Sequence, residues 1–376
     1  VLPYGRQSID AADVEAVVAA LRSDWLTTGP AVEAFERAIS DHVGGAPAVS
    51  VTSGTAALHV AYAAAGVGAG DEVVTTPLTF VATAAAAALH GATVVFADVE
   101  ADTGNLDVQA ARAAMTDRTR VVAAVDYAGL PASPDAFAAL AREHDALFLE
   151  DAAHSIGSLW DGRPVGSFAD LTTLSFFPTK NLTTAEGGAV VTADPELERR
   201  ARGFKNHGLV RERDRQRTPD EGPWHQEVHE FGLNYRLPDV LAALGTSQLR
   251  RLEAFRARRA EIHARYDEGL RDLDGVLTPA RRTEAEPAWH LYPLRVLDGR
   301  RREVFEALRA AGIGVQVNYI PAYWHPVFAD LGYQRGQCPN AEAYYEQEIS
   351  LPLFPDLTDD QVDRVVDEVR RAVAGR

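Results

Sequence analysis

The chain has 376 residues, 46% hydrophobic and 24% charged, with a formal net charge of −17. These are the proportions of an ordinary globular protein, the length suits two domains or one large and one small, and so acidic a balance argues against nucleic acid or an anionic membrane as partner. One cysteine, Cys338, excludes a disulfide framework or a cysteine-based zinc site within the chain, and neither a leader-like N-terminus nor a bilayer-length apolar run is seen, so the simplest expectation is a cytoplasmic enzyme without a metal.

In chain order, residues 9–21 read as a helix capped by Asp10, followed by a loop at Thr27-Thr28-Gly29-Pro30 and a second helix over 32–43. From about residue 49 to 200, apolar runs of strand length at 73–76, 93–99, 120–127, 147–151, 171–177 and 188–192 alternate with helical stretches such as 79–90 and 134–144. That alternation predicts an α/β protein with a mainly parallel sheet covered on both faces. The polar stretch 211–222 reads as a mobile loop, and 237–270 as one long helix. The expected boundary between a large unit, 1–250, and a small C-terminal α/β unit, 251–376, falls within that helix. A strand at 290–296, a helix at 302–311, a strand at 315–319 and a closing helix at 359–373 complete the pattern, with 278–287 as a surface connection.

Only two lysines occur, Lys180 and Lys205; every other cationic side chain is arginine. Arginine cannot give up its proton in a protein, whereas a lysine amine can be made nucleophilic. A lysine kept in this background is therefore a candidate for chemistry. In open α/β sheets ligands sit outside the carboxyl ends of strands, and three such ends carry reactive groups. They are Leu149-Glu150-Asp151-Ala152-Ala153-His154, then Leu174-Ser175-Phe176-Phe177-Pro178-Thr179-Lys180-Asn181, and the loop Val51-Thr52-Ser53-Gly54-Thr55 that opens a helix. A lysine amine, a carboxylate and a phosphate cradle together suit pyridoxal phosphate, whose aldehyde needs an amine, whose ring nitrogen needs an acid and whose phosphate suits a helix N-terminus. Taken singly, each residue has a plain alternative: Lys180 a surface lysine, Asp151 or Ser53 a helix cap, His154 a core histidine. The joint occurrence favours the functional reading.

Glu150-Asp151-Ala152-Ala153-His154 and Lys180-Asn181-Leu182-Thr183-Thr184-Ala185-Glu186-Gly187-Gly188 resemble the DegT/DnrJ family of sugar aminotransferases. So do Ser53-Gly54-Thr55, His207-Gly208, Asn234-Tyr235-Arg236-Leu237 and Leu351-Pro352-Leu353-Phe354-Pro355. The resemblance implies the type I fold of pyridoxal-phosphate enzymes and a homodimer with active sites shared between subunits. Carried over by motif, it implies Lys180 as the lysine that holds the cofactor, Asp151 against the ring nitrogen, His154 near the ring hydroxyl and Phe80 stacked on the ring. Gly54, Thr55 and Ser175 would bind the phosphate, with Asn234 reaching it from the partner subunit. Phe80 as a core residue and Asn234 as a turn residue remain open at this point.

Within the family, Thr27-Thr28-Gly29-Pro30 and Phe354-Pro355-Asp356-Leu357-Thr358-Asp359 are similar to 4-keto-pentose aminotransferases that modify lipid A. Asp126-Tyr127-Ala128-Gly129 and Thr183-Thr184-Ala185-Glu186-Gly187-Gly188 are similar to 4-aminotransferases of the pseudaminic acid pathway. The implied reaction is amination at C4 of a nucleotide-linked keto sugar, with L-glutamate giving 2-oxoglutarate and with Thr28, Arg236, Tyr319 and His325 as substrate-binding candidates. The alternatives are a 3-keto sugar nucleotide as substrate, a non-catalytic regulator on the same fold, and a nicotinamide-dependent sugar-nucleotide enzyme. The last is disfavoured because Gly66-Val67-Gly68-Ala69-Gly70 follows a helical stretch rather than the first strand.

Overall fold

The computed structural model describes residues 1–375. Seven strands form the central sheet: β1 Ala48–Val51, β2 Glu72–Thr75, β3 Thr93–Phe96, β4 Thr119–Val125, β5 Leu147–Asp151, β6 Leu171–Ser175 and β7 Gly188–Val191. Their spatial order is β1-β7-β6-β5-β4-β2-β3. All pairings are parallel except those of β7, which runs against both of its neighbours. β1, β5 and β6 therefore share a direction, and their carboxyl ends lie along one edge. Around the sheet and beyond it lie α1 Ala11–Leu21, α2 Pro30–His42, α3 Gly54–Ala64, α4 Ala82–Leu89, α5 Val108–Ala114, α6 Pro134–Glu143, α7 Pro195–Phe204, α8 Asp239–Leu249, α9 Leu252–Leu270, α10 Arg301–Ala310 and α11 Asp359–Val373.

The continuous Val-rich strands are explained by burial on both faces. Successive side chains point to opposite sides: Val73, Val121 and Leu149 pack under α3, α4 and α7, while Val74, Val122 and Phe148 pack under α5 and α6. A three-stranded antiparallel sheet, β8 Val276–Leu277, β9 Tyr292–Val296 and β10 Glu348–Leu351, is the centre of a further apolar cluster with α9, α10 and α11.

Three sequence expectations change. The helix expected over 237–270 breaks after Leu249: Gln248 and Arg251 both reach the buried Asp13 carboxylate and the Ser8 carbonyl, tying this point to the N-terminal arm. The expected strand at 315–319 does not form. Only one isolated bridge occurs there, Gln316 with Ser350, because the backbone groups of Asn318 are taken by side chains, its N–H by Glu348 and its carbonyl by the Tyr127 hydroxyl. The surface connection at 278–287 includes a short strand, Ala285–Glu286, paired with Leu159–Trp160. The stretch 211–222 carries two short 3-10 turns, Arg213–Arg215 and Pro219–Glu221. Elsewhere the shifts are at ends, where Asp10 caps α1 in a reciprocal capping box as expected. No helix of the described residues is long and apolar enough to cross a membrane.

Candidate active site

At the shared carboxyl edge lies a cavity of about 410 Å³. Gly54, Thr55, Phe80, Asp151, His154, Ser175, Lys180 and Tyr319 all line it. A slightly larger hollow, about 460 Å³, between α2 and the α8–α9 break, holds none of these groups.

A concave, donor-lined surface is built where β1 runs into α3. Ser53 caps the helix by accepting from the Ala56 N–H at 3.0 Å, which leaves the preceding amide groups pointing outward with the positive end of the helix dipole. Gly54 is required by close approach: a Cβ there would stand 2.7 Å from the Ser175 Cβ and 2.8 Å from its hydroxyl oxygen. Backbone amides, the Thr55 hydroxyl and Ser175 thus present a narrow concave surface of donors, suited to a phosphate.

Asp151 ends β5 with its carboxylate almost fully buried. Burial raises its pKa, against hydrogen bonds from the Thr83 hydroxyl at 2.7 Å and the Ala153 N–H at 3.2 Å and against the charge of Lys180. A buried carboxylate with two donors and room beside it suits a protonated ring nitrogen. Thr83 itself is bonded to Thr79 at 3.0 Å, so the carboxylate is oriented by a relay across the start of α4.

Lys180 follows β6. Burial pulls its amine down to about 8, against the attraction of Asp151. A useful fraction is then the free base near neutral pH, as a nucleophilic amine needs. Its neighbour Asn181 is buried and donates through Nδ2 to the carbonyls of Ala288 at 2.8 Å and His154 at 3.2 Å, which joins the lysine loop to two other walls of the cavity. His154 is held neutral, far below its ordinary value, by burial first and by the charge of Lys180 second. Its Nε2 meets the Tyr319 hydroxyl at 3.1 Å while Nδ1 is buried without a partner. Phe80 is 58% exposed, which removes the core alternative, and its ring stands 6.2 Å from that of Tyr319 at 62°.

The remaining predicted residues lie outside this cavity. Thr28 and Arg236 line a separate hollow of about 250 Å³ with Lys205 and Asn206, where the Arg236 guanidinium donates to Asn206 at 2.7 Å. Asn234 is exposed beside it, bridged to Asn206. His325 does not reach the cavity; it precedes the short helix Pro326–Ala329. Conversely, Tyr4, Glu186, His290 and Asn318 line the cavity without having been singled out as site residues. The His290 ring lies 4.3 Å from that of His154, tilted by 39°, and its Nδ1 is also buried and unpartnered. Thr83 carried a readable signal, as the one polar residue in the alanine-rich α4. Tyr4 carried none, because the N-terminal arm returns to the site only through tertiary contacts. Among the described residues no cluster of three or more His, Cys, Asp or Glu is placed to hold a metal ion.

Comparison with known proteins agrees with this geometry. The profile of the DegT/DnrJ/EryC1/StrS aminotransferase family matches residues 7–370. The chain is 40% identical to the spore coat polysaccharide biosynthesis protein SpsC of Bacillus subtilis, covering 100% of this chain and 97% of that protein. A candidate sugar aminotransferase of Streptococcus pneumoniae, Spr1654, solved in PMP and PLP forms, superposes in its PMP form with a TM-score of 0.94 at 30% identity, over 100% of both chains. PseC of Helicobacter pylori, an aminotransferase involved in the biosynthesis of pseudoaminic acid, superposes with a TM-score of 0.92 at 31% identity, over 100% of both. The cradle, the buried acid and the depressed lysine fit the cofactor of these enzymes, pyridoxal phosphate on the type I fold. The chain belongs to the DegT/DnrJ/EryC1/StrS family and is an aminotransferase of the sugar-aminating kind.

Proposed function

We propose that this enzyme moves an amino group from L-glutamate to C4 of a nucleotide-linked 4-keto deoxysugar, with Lys180 and Asp151 as its catalytic residues. The observation that carries the C4 reading is the run Thr183-Thr184-Ala185-Glu186-Gly187-Gly188, which sets the exposed Glu186 at the rim of the Lys180 cavity. The similarity to PseC supports it.

Pyridoxal phosphate, when bound, supplies a protonated ring that accepts electron density from the carbon losing its proton. The protein does the rest. Asp151 keeps the proton on the ring nitrogen. The α3 N-terminus, Thr55 and Ser175 fix the phosphate, and Phe80 covers the ring. Lys180 would hold the cofactor through its Nζ, and the same Nζ, when free, would be the base placed to take the proton from the donor's α-carbon and to give a proton back. His154, held neutral, keeps Tyr319 in place at the sugar side.

Asn234, Arg236 and Thr28 lie outside their own chain's cavity, and we assign them to the site of a second copy in a homodimer. The exposed apolar ring of Phe231, three residues before Asn234 and 98% exposed, supports that assignment. Division of the chain at the α8–α9 break, into 1–250 and 251–376, belongs to the same reading and is supported by an apolar cluster drawn mostly from 251–376, while Leu291, Tyr323, Phe328 and Tyr344 pack into the core of the large unit.

Incubating the enzyme with L-glutamate and a panel of 3-keto and 4-keto sugar nucleotides tests the substrate class. The expected product carries its new amine at C4, with 2-oxoglutarate released. Amination at C3, with the 4-keto compounds inert, would overturn the C4 assignment.

A further inference from the structure

Glu348, the first residue of β10, is fully buried, as is Ser350 two residues on. Burial pushes its carboxyl up to about 8, and Arg301, which draws it down, does so less than the hydrogen bonds from Ser350 and the Asn318 N–H. Near neutral pH the group therefore carries its proton for most of the time. An acid buried without an ion-pair partner is costly, and an apolar residue would generally pack there at less cost. Core packing alone does not explain why a carboxyl stands here.

Its hydrogen bonds lead to the cavity. One oxygen accepts from the Asn318 N–H at 2.7 Å. The other is bonded to the Ser350 hydroxyl, whose oxygen accepts from the Asn318 side-chain amide at 3.0 Å. The same amide nitrogen donates to the Tyr4 hydroxyl at 2.7 Å. Asn318 is thus gripped at main chain and side chain, and Tyr319 follows it directly. Tyr4, Asn318 and Tyr319 all line the cavity, with the Tyr319 hydroxyl 3.1 Å from His154 Nε2. Glu348 is also felt at Tyr319, where it ranks after burial and Asp151 among the causes that hold the phenol above its ordinary value. We propose that Glu348 is a positioning residue for the sugar nucleotide: it holds Asn318, and through Asn318 the Tyr4 and Tyr319 side chains, in the wall that the sugar meets. This rests on the reading of Tyr319 as standing at the sugar side. The sugar nucleotide is much larger than L-glutamate and draws more of its binding from walls away from the reacting amine, so loss of Glu348 separates the two substrates.

Three variants test this. Glu348→Gln keeps one donor and one acceptor, as the protonated acid does. Glu348→Leu fills the space but leaves the buried Asn318 N–H unpaired, and Ser350→Ala cuts only the link to the Asn318 side chain. The probe is the amino sugar nucleotide that the wild-type enzyme forms from the panel above, titrated calorimetrically into borohydride-reduced enzyme, which keeps its cofactor and cannot turn over. In parallel, unreduced enzyme is mixed with L-glutamate in a single turnover read by cofactor absorbance. Glu348→Leu is expected to weaken sugar-nucleotide binding at least about tenfold and Ser350→Ala at least about threefold, while Glu348→Gln stays within about twofold of wild type. All three are expected to keep the glutamate rate within about twofold of wild type. Unchanged binding in Glu348→Leu, equal losses with sugar nucleotide and glutamate, or a Gln variant as weak as the Leu variant overturns the proposal. If Glu348→Leu does not fold, Ser350→Ala decides, because unchanged binding there overturns it as well. A wild-type enzyme that aminates no sugar nucleotide would overturn the underlying reading before any variant is made, whereas a failure confined to the variants overturns this proposal alone.

Discussion

Lys180 shows how burial alone prepares a side chain for chemistry. Its amine sits at about 8 in the folded chain against 10.5 for a free lysine. Below the folded value both states hold the proton, and the buried ammonium weighs fully against folding. As pH rises from there to the unfolded value, the folded state sheds its proton first, so the penalty fades and stability rises. In the cofactor-free chain Lys180→Met is therefore expected to be more stable than wild type at neutral pH, by roughly 2–4 kcal/mol, with the advantage gone by about pH 10.5. Urea unfolding of both proteins at several pH values checks this, and an advantage that is constant with pH would show that the amine is not depressed. The pairing of Lys180 with Asp151 was legible in the sequence from residue chemistry and strand ends. His290 and Tyr4 were not, because nothing local marks a histidine ahead of a strand or a tyrosine in an arm as facing a cavity. Thr28, Arg236 and His325 were legible as chemistry-bearing residues, yet the fold of one chain places none of them beside Lys180.

At the scale of elements, the site depends on three strand ends meeting within side-chain reach, and the closest fit is Gly54 against Ser175. Gly54→Ala would drive a methyl group into the Ser175 Cβ at 2.7 Å, so either α3 or the end of β6 must shift. The expected results are a loss of about 1–3 kcal/mol in stability and at least about tenfold weaker cofactor binding, equivalent to about 1.4 kcal/mol, read by fluorescence titration with pyridoxal phosphate. Unchanged affinity would remove Gly54 from the cradle. The Val-rich strands were readable because burial on both faces leaves a continuous apolar signature. The expected strand at 315–319 misled for the opposite reason: Val315, Val317 and Tyr319 alternate as in a strand, but Glu348 and Tyr127 take the backbone groups a ladder would need. The α8–α9 break was hidden because Arg250 and Arg251 are good helix formers, and the contacts made at the break, to Asp13 and to the Ser8 carbonyl, are distant in sequence.

For the whole molecule, the position of Asn234 and Arg236 outside their own cavity makes the dimer a testable part of the function. Neither Lys180→Ala nor Asn234→Ala should be active alone, but in a mixed dimer one site draws its lysine and its asparagine from the unaltered copies. With random exchange about half the dimers are mixed and one of two sites in each is intact, so mixing should restore up to about a quarter of wild-type activity. Mixed dimers without activity above the parents would contradict a shared site. The overall architecture was readable from the order of strands and helices, whereas the partner-subunit role proposed for Asn234 came from the family resemblance and not from local pattern.

The most direct test of the account is to reduce the cofactor-loaded enzyme with borohydride, digest it and map the peptide that carries the pyridoxyl group. The expected result is a single label on Lys180, in the peptide running through Asn181 toward Glu186; a label on Lys205, or none on either lysine, would contradict the account at its centre.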